Sequence, residues 1–177
     1  MGLDMYLYRR NHLTEEQETE LKEAKAMIEA YDKLYDEETS AARRVLWAQR
    51  EVEWQDKISN LDDRTEVAYW RKANAIHRWF EKRLYDRYNV ECLENCGEYV
   101  VDAEDLRDLV VDCKTVLREE GNDHFEKVAS SILPTESGFF FGSTEYGVWY
   151  LSDLRQTVEM LEPLLESDDA FVYMAWW

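Results

Sequence analysis

The chain has 177 residues, with 39 acidic against 21 basic side chains and a formal net charge of −18. Aromatic residues make up 14% of it, which excludes a disordered acidic tail, because such tails have little apolar surface to bury. The charge argues against direct binding to nucleic acid, which depends on basic side chains that neutralise phosphates. It also argues against adsorption to an anionic membrane, but it permits a protein partner with a basic surface.

The acidic residues are distributed unevenly along the chain. Segment 14–38 carries ten acidic and three basic side chains, and the chain after residue 90 is also strongly acidic. Residues 39–90, in contrast, carry eleven basic and eight acidic side chains. The middle of the chain is therefore compatible with a small anionic ligand.

The N-terminal part of the chain predicts a strand followed by two helices. Met5–Tyr8 is short, apolar and aromatic, which is typical of a β-strand. Thr14 and Gln17 match a capping box at the start of a helix, and apolar residues at helical spacing continue this helix to Glu38. A second helix is expected over residues 41–58.

The next segment predicts a turn and one long helix. Asn60–Asp63 has the composition of a turn. Residues 65–85 are expected to be helical, because apolar residues recur at helical spacing. This apolar stripe consists of Tyr69, Ala73, Ile76, Phe80 and Leu84.

The second half of the chain predicts short elements that are separated by turn and cap signals. Asn95–Gly97 is an expected turn, Asp102 is an expected helix cap, and Pro134 ends a helical stretch. The expected elements are a strand at 98–101, helices at 103–118 and 125–132, a buried strand at 138–142, a helix at 152–165 and a strand at 171–177.

Helices dominate this pattern, and the short strands are scattered from one end of the chain to the other. The pattern predicts a helix-rich α+β fold with a small antiparallel sheet. Because the chain shows no internal repeat and no linker composition, we expect a single domain over 1–177. Segment 14–60 would be a helical hairpin added to that domain.

One flank of the expected helix at 65–85 groups residues that can bind a ligand. An aromatic ring, an amide, an imidazole and guanidinium groups together suit a nucleotide or another small anion. The structural alternative is a helix at the edge of the core, whose Asn and His bond to the backbone of a neighbouring segment. The flank consists of Trp70, Asn74, His77 and Glu81, with Arg71 and Arg78 just beyond them.

Residues 133–144 form a second unusual stretch, with glycines on both sides of three phenylalanines. Gly138 and Gly142 permit a close backbone approach or a positive φ. Ser143 or Thr144 could cap a turn whose N–H groups face an anion. The stretch matches neither a P-loop nor a dinucleotide-binding fingerprint, and the alternative is a strand packed in the core.

Three cysteines and a histidine are candidate metal ligands: Cys92, Cys96, Cys113 and His124. Their spacing does not match that of a zinc site. We therefore expect no metal and no cofactor. An odd set of cysteines in a domain of this size fits a reducing cytoplasm.

Three stretches of the sequence occur together in a recognisable combination: Met1–Leu7, Tyr69–Phe80 and Leu133–Tyr146. In this combination the chain resembles a family of small uncharacterised phage and prophage proteins. Segment 14–60 is not part of the resemblance. The resemblance implies a phage-associated protein in the host cytoplasm, and it draws attention to the polar residues within the three stretches.

The favoured interpretation from the sequence is a non-enzymatic accessory protein that binds and inhibits a host factor, such as a component of antiviral defence. Its partner would be a host protein with a basic surface, with no direct contact to nucleic acid or membrane. Acidic side chains would steer the partner, and exposed aromatic side chains would anchor it. The candidate residues are Glu15, Glu16, Glu20, Glu23, Tyr146 and Trp149.

The alternative is a protein, or a small enzyme, that binds a nucleotide or another small anion. Its pocket would be lined by polar and aromatic residues, and His77 is the proton carrier that such a site would use. Under this alternative the polar residues converge on a cavity, whereas under the first interpretation they are dispersed. The candidate residues are Asp4, Trp70, Arg71, Asn74, His77, Thr135 and Ser143.

Overall fold

The structure is a computed structural model of the chain and describes residues 2–10, 13–37, 40–60, 64–167 and 169–177. Its internal contacts divide the chain into two compact units. One unit comprises Met1–Arg10 and Glu66–Trp177, and the other comprises Asn11–Thr65. The fold is a helix-rich α+β fold with a four-stranded antiparallel sheet, so the predicted fold class is confirmed.

Six helices account for most of the described residues, and a 3₁₀ turn at Glu162–Leu164 follows the last of them. The capping box predicted at Thr14 and the helix cap predicted at Asp102 are both present, since each side chain accepts a hydrogen bond from the backbone three residues later. The helices are α1 (Glu15–Glu37), α2 (Ala41–Asn60), α3 (Asn74–Tyr88), α4 (Ala103–Arg118), α5 (Phe125–Ile132) and α6 (Val148–Leu161).

The four strands are β1 (Asp4–Arg10), β2 (Arg64–Arg71), β3 (Glu98–Val101) and β4 (Phe171–Trp176), in the order β2-β1-β4-β3 across the sheet. Strand β4 pairs antiparallel with both β1 and β3, and Leu7 and Tyr99 flank Tyr173 in the register. Because side chains alternate along a strand, one face of the sheet collects most of the buried strand residues. These are Met5, Leu7, Ala68, Trp70, Val101, Phe171, Tyr173 and Ala175.

Helices α3 and α6 cover this buried face of the sheet. The ring of Phe80 on α3 stacks on the ring of Tyr173, with 4.0 Å between the ring centroids. The indole N–H of Trp70 donates to the hydroxyl of Thr157 on α6 at 2.9 Å. The core of this unit is therefore held by stacked aromatic rings and by one buried hydrogen bond between β2 and α6.

Helices α1 and α2 pack against each other in the other unit. Tyr31 contacts Trp47 with 5.8 Å between the ring centroids, and Lys57 pairs with Glu20 at 2.8 Å. Both helices match the expected bounds to within two residues, whereas most of the predicted turn at Asn60–Asp63 lies outside the described residues.

The predicted helix over 65–85 is wrong in its first part, where the chain forms strand β2. Ala68 and Trp70 are buried while Val67 and Tyr69 are only partly buried, which is the two-residue period of a strand. Lys72 then adopts a φ of +60°, so the chain reverses into α3 at Asn74. Helical spacing misled the prediction because Tyr69 and Ala73 fall in phase with the true α3 stripe at Ile76, Phe80 and Leu84.

The buried strand predicted at 138–142 is also wrong. The N–H of Phe141 donates to the carbonyl of Gly138 in a tight turn, and Phe139 is 95% exposed. Gly142 has a φ of +88°, which lies outside the β region of a regular strand. In addition, α6 begins at Val148 rather than at residue 152.

Candidate functional site

A cavity of about 250 Å³ opens at the N-terminal end of α3, and we call it the α3 cavity. Its walls come from the connection between β2 and α3, from the segment that precedes α6, and from α6 itself. The polar and charged residues that line it are Arg71, Lys72, Asn74, Thr135, Ser143, Glu145 and Asp153, and Trp149 and Tyr150 add aromatic rings. Four of the seven residues proposed for a ligand site therefore line one cavity.

Asn74 holds the wall of the α3 cavity in place. Its side-chain N–H₂ group donates to the carbonyls of Phe141 and Ser143, at 2.9 and 2.8 Å. Its side-chain oxygen accepts the N–H of Glu136 at 3.0 Å. Because all three bonds go to the backbone of one neighbouring segment, Asn74 shapes the cavity and is not free to bind a ligand.

Gly142 lies where this segment comes closest to the turn before α3. A Cβ atom at position 142 would be 3.1 Å from the Cβ of Lys72, and the positive φ of Gly142 already disfavours other residues. The segment can therefore close against Lys72 because residue 142 has no side chain.

The start of α3 has no side-chain cap and faces the α3 cavity. The N–H groups of Asn74, Ile76 and His77 bond to the carbonyls of Lys72 and Ala73. The N–H of Ala75, which also lines the cavity, has no partner among the described residues. An uncapped helix start of this kind favours negative charge.

Both basic and acidic groups line the α3 cavity. Arg71 is 61% exposed at its side chain and lies 4.0 Å from Asp4, a partly buried carboxylate on β1 that also accepts a hydrogen bond from Tyr69. Burial raises the pKa of Asp153 to about 6, so this carboxyl group is close to titration at neutral pH. The cavity therefore combines cationic groups with hydrogen-bond acceptors.

Thr135, Ser143 and Tyr146 already have partners within the segment before α6. The hydroxyl of Thr135 donates to the carbonyl of Thr144 at 2.9 Å, and the hydroxyl of Ser143 accepts the N–H of Glu145 at 3.2 Å. The hydroxyl of Tyr146 accepts the N–H of Thr135 at 3.3 Å. Trp149, in contrast, is 80% exposed and offers an open ring face.

Trp70 and His77 do not line the α3 cavity. Trp70 is 1% exposed and lies in the core, on a strand rather than on the predicted helix flank. His77 is fully buried, and its Nδ1 lies 2.6 Å from the hydroxyl of Tyr173. Burial lowers the pKa of His77 to about 4, so the ring is neutral at physiological pH.

Sequence reasoning did not place Lys72, Glu136 or Asp153 in a site. Lys72 lies between Arg71 and Asn74 in the sequence, and this position next to two candidate residues is the signal that could have identified it. Asp153 gave no signal, because an acidic residue on an amphipathic helix is usually solvated. Glu136 gave no signal either, because its role depends on its contact with Glu81 on α3, where a hydrogen bond between the two carboxyl groups helps to raise the pKa of Glu81.

The residues proposed for a protein partner lie in both units. Glu15, Glu16 and Glu23 are exposed on α1, and Glu20 is partly buried where it pairs with Lys57. Tyr146 and Trp149 belong to the unit that contains the sheet.

Cys92 and Cys96 are exposed, and Cys113 is buried. Within the described ranges, no group of three potential ligands is arranged to hold a metal ion. Among those same residues, no helix is both long and apolar enough to cross a membrane. A comparison of the chain with protein families, with curated proteins and with solved structures gives no match.

Proposed function

We propose that the α3 cavity binds a small phosphate-bearing ligand of the nucleotide class. One arrangement carries this proposal: the uncapped start of α3 faces the same cavity as Arg71, Lys72 and the exposed ring of Trp149. Helix starts and guanidinium groups are the usual protein ligands of phosphate, and an exposed indole ring is a suitable surface for a base.

The carboxyl groups in the cavity refine the ligand class. Glu145 and Asp153 would repel a bare inorganic anion, but carboxylates accept hydrogen bonds from sugar hydroxyl groups, as they do in dinucleotide-binding proteins. A ligand that joins a phosphate, a sugar and a flat base uses every kind of group that lines the cavity. A nucleoside monophosphate is therefore preferred over inorganic phosphate.

The test is calorimetric titration and thermal unfolding of the full chain with AMP, with inorganic phosphate as the comparison ligand. We expect AMP to raise the Tm, and inorganic phosphate to have little effect, because binding to the folded state alone stabilises it. Trp149→Ala should weaken AMP binding by about tenfold or more, as the loss of one stacked base does. Arg71→Gln should also weaken it, because it removes a phosphate ligand.

Two matched variants serve as controls. Trp176→Ala removes another exposed indole, which is 54% exposed and does not line the cavity. Arg155→Gln removes an arginine of similar exposure on α6, which pairs with Glu120 instead. If the two tryptophan variants bind AMP equally, or if AMP does not stabilise the wild-type protein, the proposal is refuted.

A second candidate function is the binding of a host protein by a phage-associated inhibitor. The observation that favours it is an exposed apolar set, since Phe139, Val148 and Trp149 are 95%, 77% and 80% exposed. Affinity capture at low salt would compare the wild type with Val148→Ser and Trp149→Ser. A captured protein that binds all three equally would argue against this surface as the interface.

A further inference from the structure

A second cavity, of about 350 Å³, lies beside α3 and is lined by Glu81 and Glu136. Glu136 is a hydrogen-bond partner of Glu81, and this contact is one of the causes that raise the pKa of Glu81. Oε2 of Glu136 is buried and meets no donor group among the described residues. Because a buried oxygen without a donor is costly, a proton on the neighbouring Glu81 is the donor that this arrangement requires.

His77 lies beside Glu81 and does not neutralise the pair of carboxyl groups. The buried hydroxyl of Tyr173 has Nδ1 of His77 as its hydrogen-bond partner, so we assign the O–H as the donor and place the ring proton on Nε2. This Nε2 lies 3.8 Å from Oε1 of Glu81 and has no hydrogen-bond partner in the described part of the chain. A neutral imidazole cannot offset a second negative charge beside it.

The other charged groups around Glu81 do not return its pKa to the ordinary value. Arg78 lowers the pKa of Glu81, but burial and the contact with Glu136 outweigh it and raise the pKa to about 7. The remaining titratable groups that line this cavity are Lys82, Tyr85, Glu91 and Cys92. The pair therefore gains its second negative charge near neutral pH.

Glu136 belongs to the segment that forms a wall of the α3 cavity. Its backbone N–H bonds to Asn74, and its side chain contacts Glu81, two turns further along the same helix. The same segment contributes Thr135, Gly142 and Ser143 to the α3 cavity. The contact between the carboxyl groups thus fastens one end of that wall to α3.

We propose that Glu81 and Glu136 form a proton-operated latch, in which one shared proton holds segment 135–143 on α3 and its loss loosens the segment. The latch stands on the contact between the two side chains. Its consequence, a weaker ligand affinity of the α3 cavity when the proton is lost, rests on the proposed function.

The latch is tested by hydrogen exchange of the backbone amides of residues 135–143 in the full chain, at about pH 6 and about pH 8 and corrected for intrinsic rates. In the wild type we expect protection to fall by about tenfold at the higher pH, because two adjacent carboxylates repel each other. In Glu81→Gln the protection should not change with pH, because an amide donates to Glu136 without titrating. Glu136→Gln provides a second variant with the same expectation.

Glu91→Gln is the matched control, because Glu91 lines the same cavity and is exposed. It should retain the pH response of the wild type. The latch is refuted if the wild-type protection is the same at both pH values, or if Glu81→Gln responds as the wild type does.

The consequence for binding is measured with AMP at the same two pH values. The phosphate group of AMP and the carboxyl group of Asp153 also titrate in this range. Because these two titrations affect the wild type and Glu81→Gln alike, the ratio of the two Kd values at each pH reports the effect of the latch alone. We expect this ratio to rise by about tenfold toward the higher pH. If the exchange pattern appears but AMP does not bind, the proposed function fails and the latch stands. If AMP binds but the ratio of the two Kd values is the same at both pH values, the affinity for AMP is not coupled to the latch.

Discussion

The indole N–H of Trp70 on β2 donates to the hydroxyl of Thr157 on α6 at 2.9 Å, inside the core. The same hydroxyl donates to the backbone carbonyl of Asp153 at 2.7 Å. One buried hydroxyl group therefore links the sheet to the turn of α6 whose carboxyl side chain lines the α3 cavity. Two hydrogen bonds join the core to the candidate site.

Thr157→Val should destabilise the protein by about 1–3 kcal/mol, because it leaves the buried indole N–H of Trp70 without an acceptor. Thr115→Val is the matched control. Thr115 also donates to the carbonyl four residues earlier, at 2.8 Å, but it accepts no bond from a tryptophan. Chemical denaturation of both variants checks the prediction, and equal losses of unfolding free energy would contradict it.

Asn74→Ala should lower the unfolding free energy by about 2–4 kcal/mol, because three buried or partly buried backbone groups lose their partner at once. Asn122→Ala, which alters an exposed asparagine between α4 and α5, should cost much less. We also expect Asn74→Ala to increase amide exchange in residues 135–143. Unchanged exchange in that segment would show that Asn74 does not hold it.

Asp105→Asn should destabilise the protein by about 3 kcal/mol or more, because the fully buried carboxylate accepts bonds from Arg83, Arg87 and Tyr88. Asp108→Asn, at a half-exposed partner of Arg83, is the milder control. Burial raises the pKa of Asp105, but its hydrogen bonds outweigh burial and hold the pKa below its ordinary value. Its contribution is therefore present above the unfolded-state pKa and is lost as the pH falls through the folded-state pKa, so urea titrations of the wild type should show an acid loss that Asp105→Asn lacks.

His77 and Glu81 should give opposite pH dependences of stability. The pKa of His77 is lowered to about 4 by burial, so its contribution is present above pH 6.5 and is lost as the pH falls to about 4. The pKa of Glu81 is raised to about 7, so its contribution is present below pH 4.5 and is lost as the pH rises through about 7. Between these limits the two effects largely cancel in the wild type.

Single variants separate the two effects. Glu81→Gln should become more stable as the pH rises from about 4 to 6.5, and His77→Gln should become less stable from about 4.5 to 7. Each slope is at most ~1.4 kcal/mol per pH unit, and the Glu81 slope is smaller because solvent screens its partly exposed carboxyl group. Urea unfolding across this range measures both slopes, and parallel pH profiles of the two variants would contradict the assignment.

The sequence alone predicted most elements, because their signals are local. Each of these signals depends on residues within a few positions of one another: the capping box at Thr14, the helix cap at Asp102, the turn before β3 and the bounds of α5. The wrong prediction of a helix where β2 lies has a physical reason as well. Residues 65–71 fit both a helical and an alternating pattern, and pairing with β1 across the sheet decides between them.

The candidate site also has features that the sequence determined and features that only tertiary structure decided. The sequence determined that Arg71, Asn74, Thr135 and Ser143 lie in two unusual polar and aromatic stretches, because residue type and spacing are visible along the chain. Tertiary structure alone decided that these stretches meet at the start of α3, that Trp70 and His77 turn into the core, and that Glu81 meets Glu136. The reason is that burial and side-chain pairing depend on contacts between residues far apart in the sequence, and these contacts exist only after the sheet and its covering helices have packed.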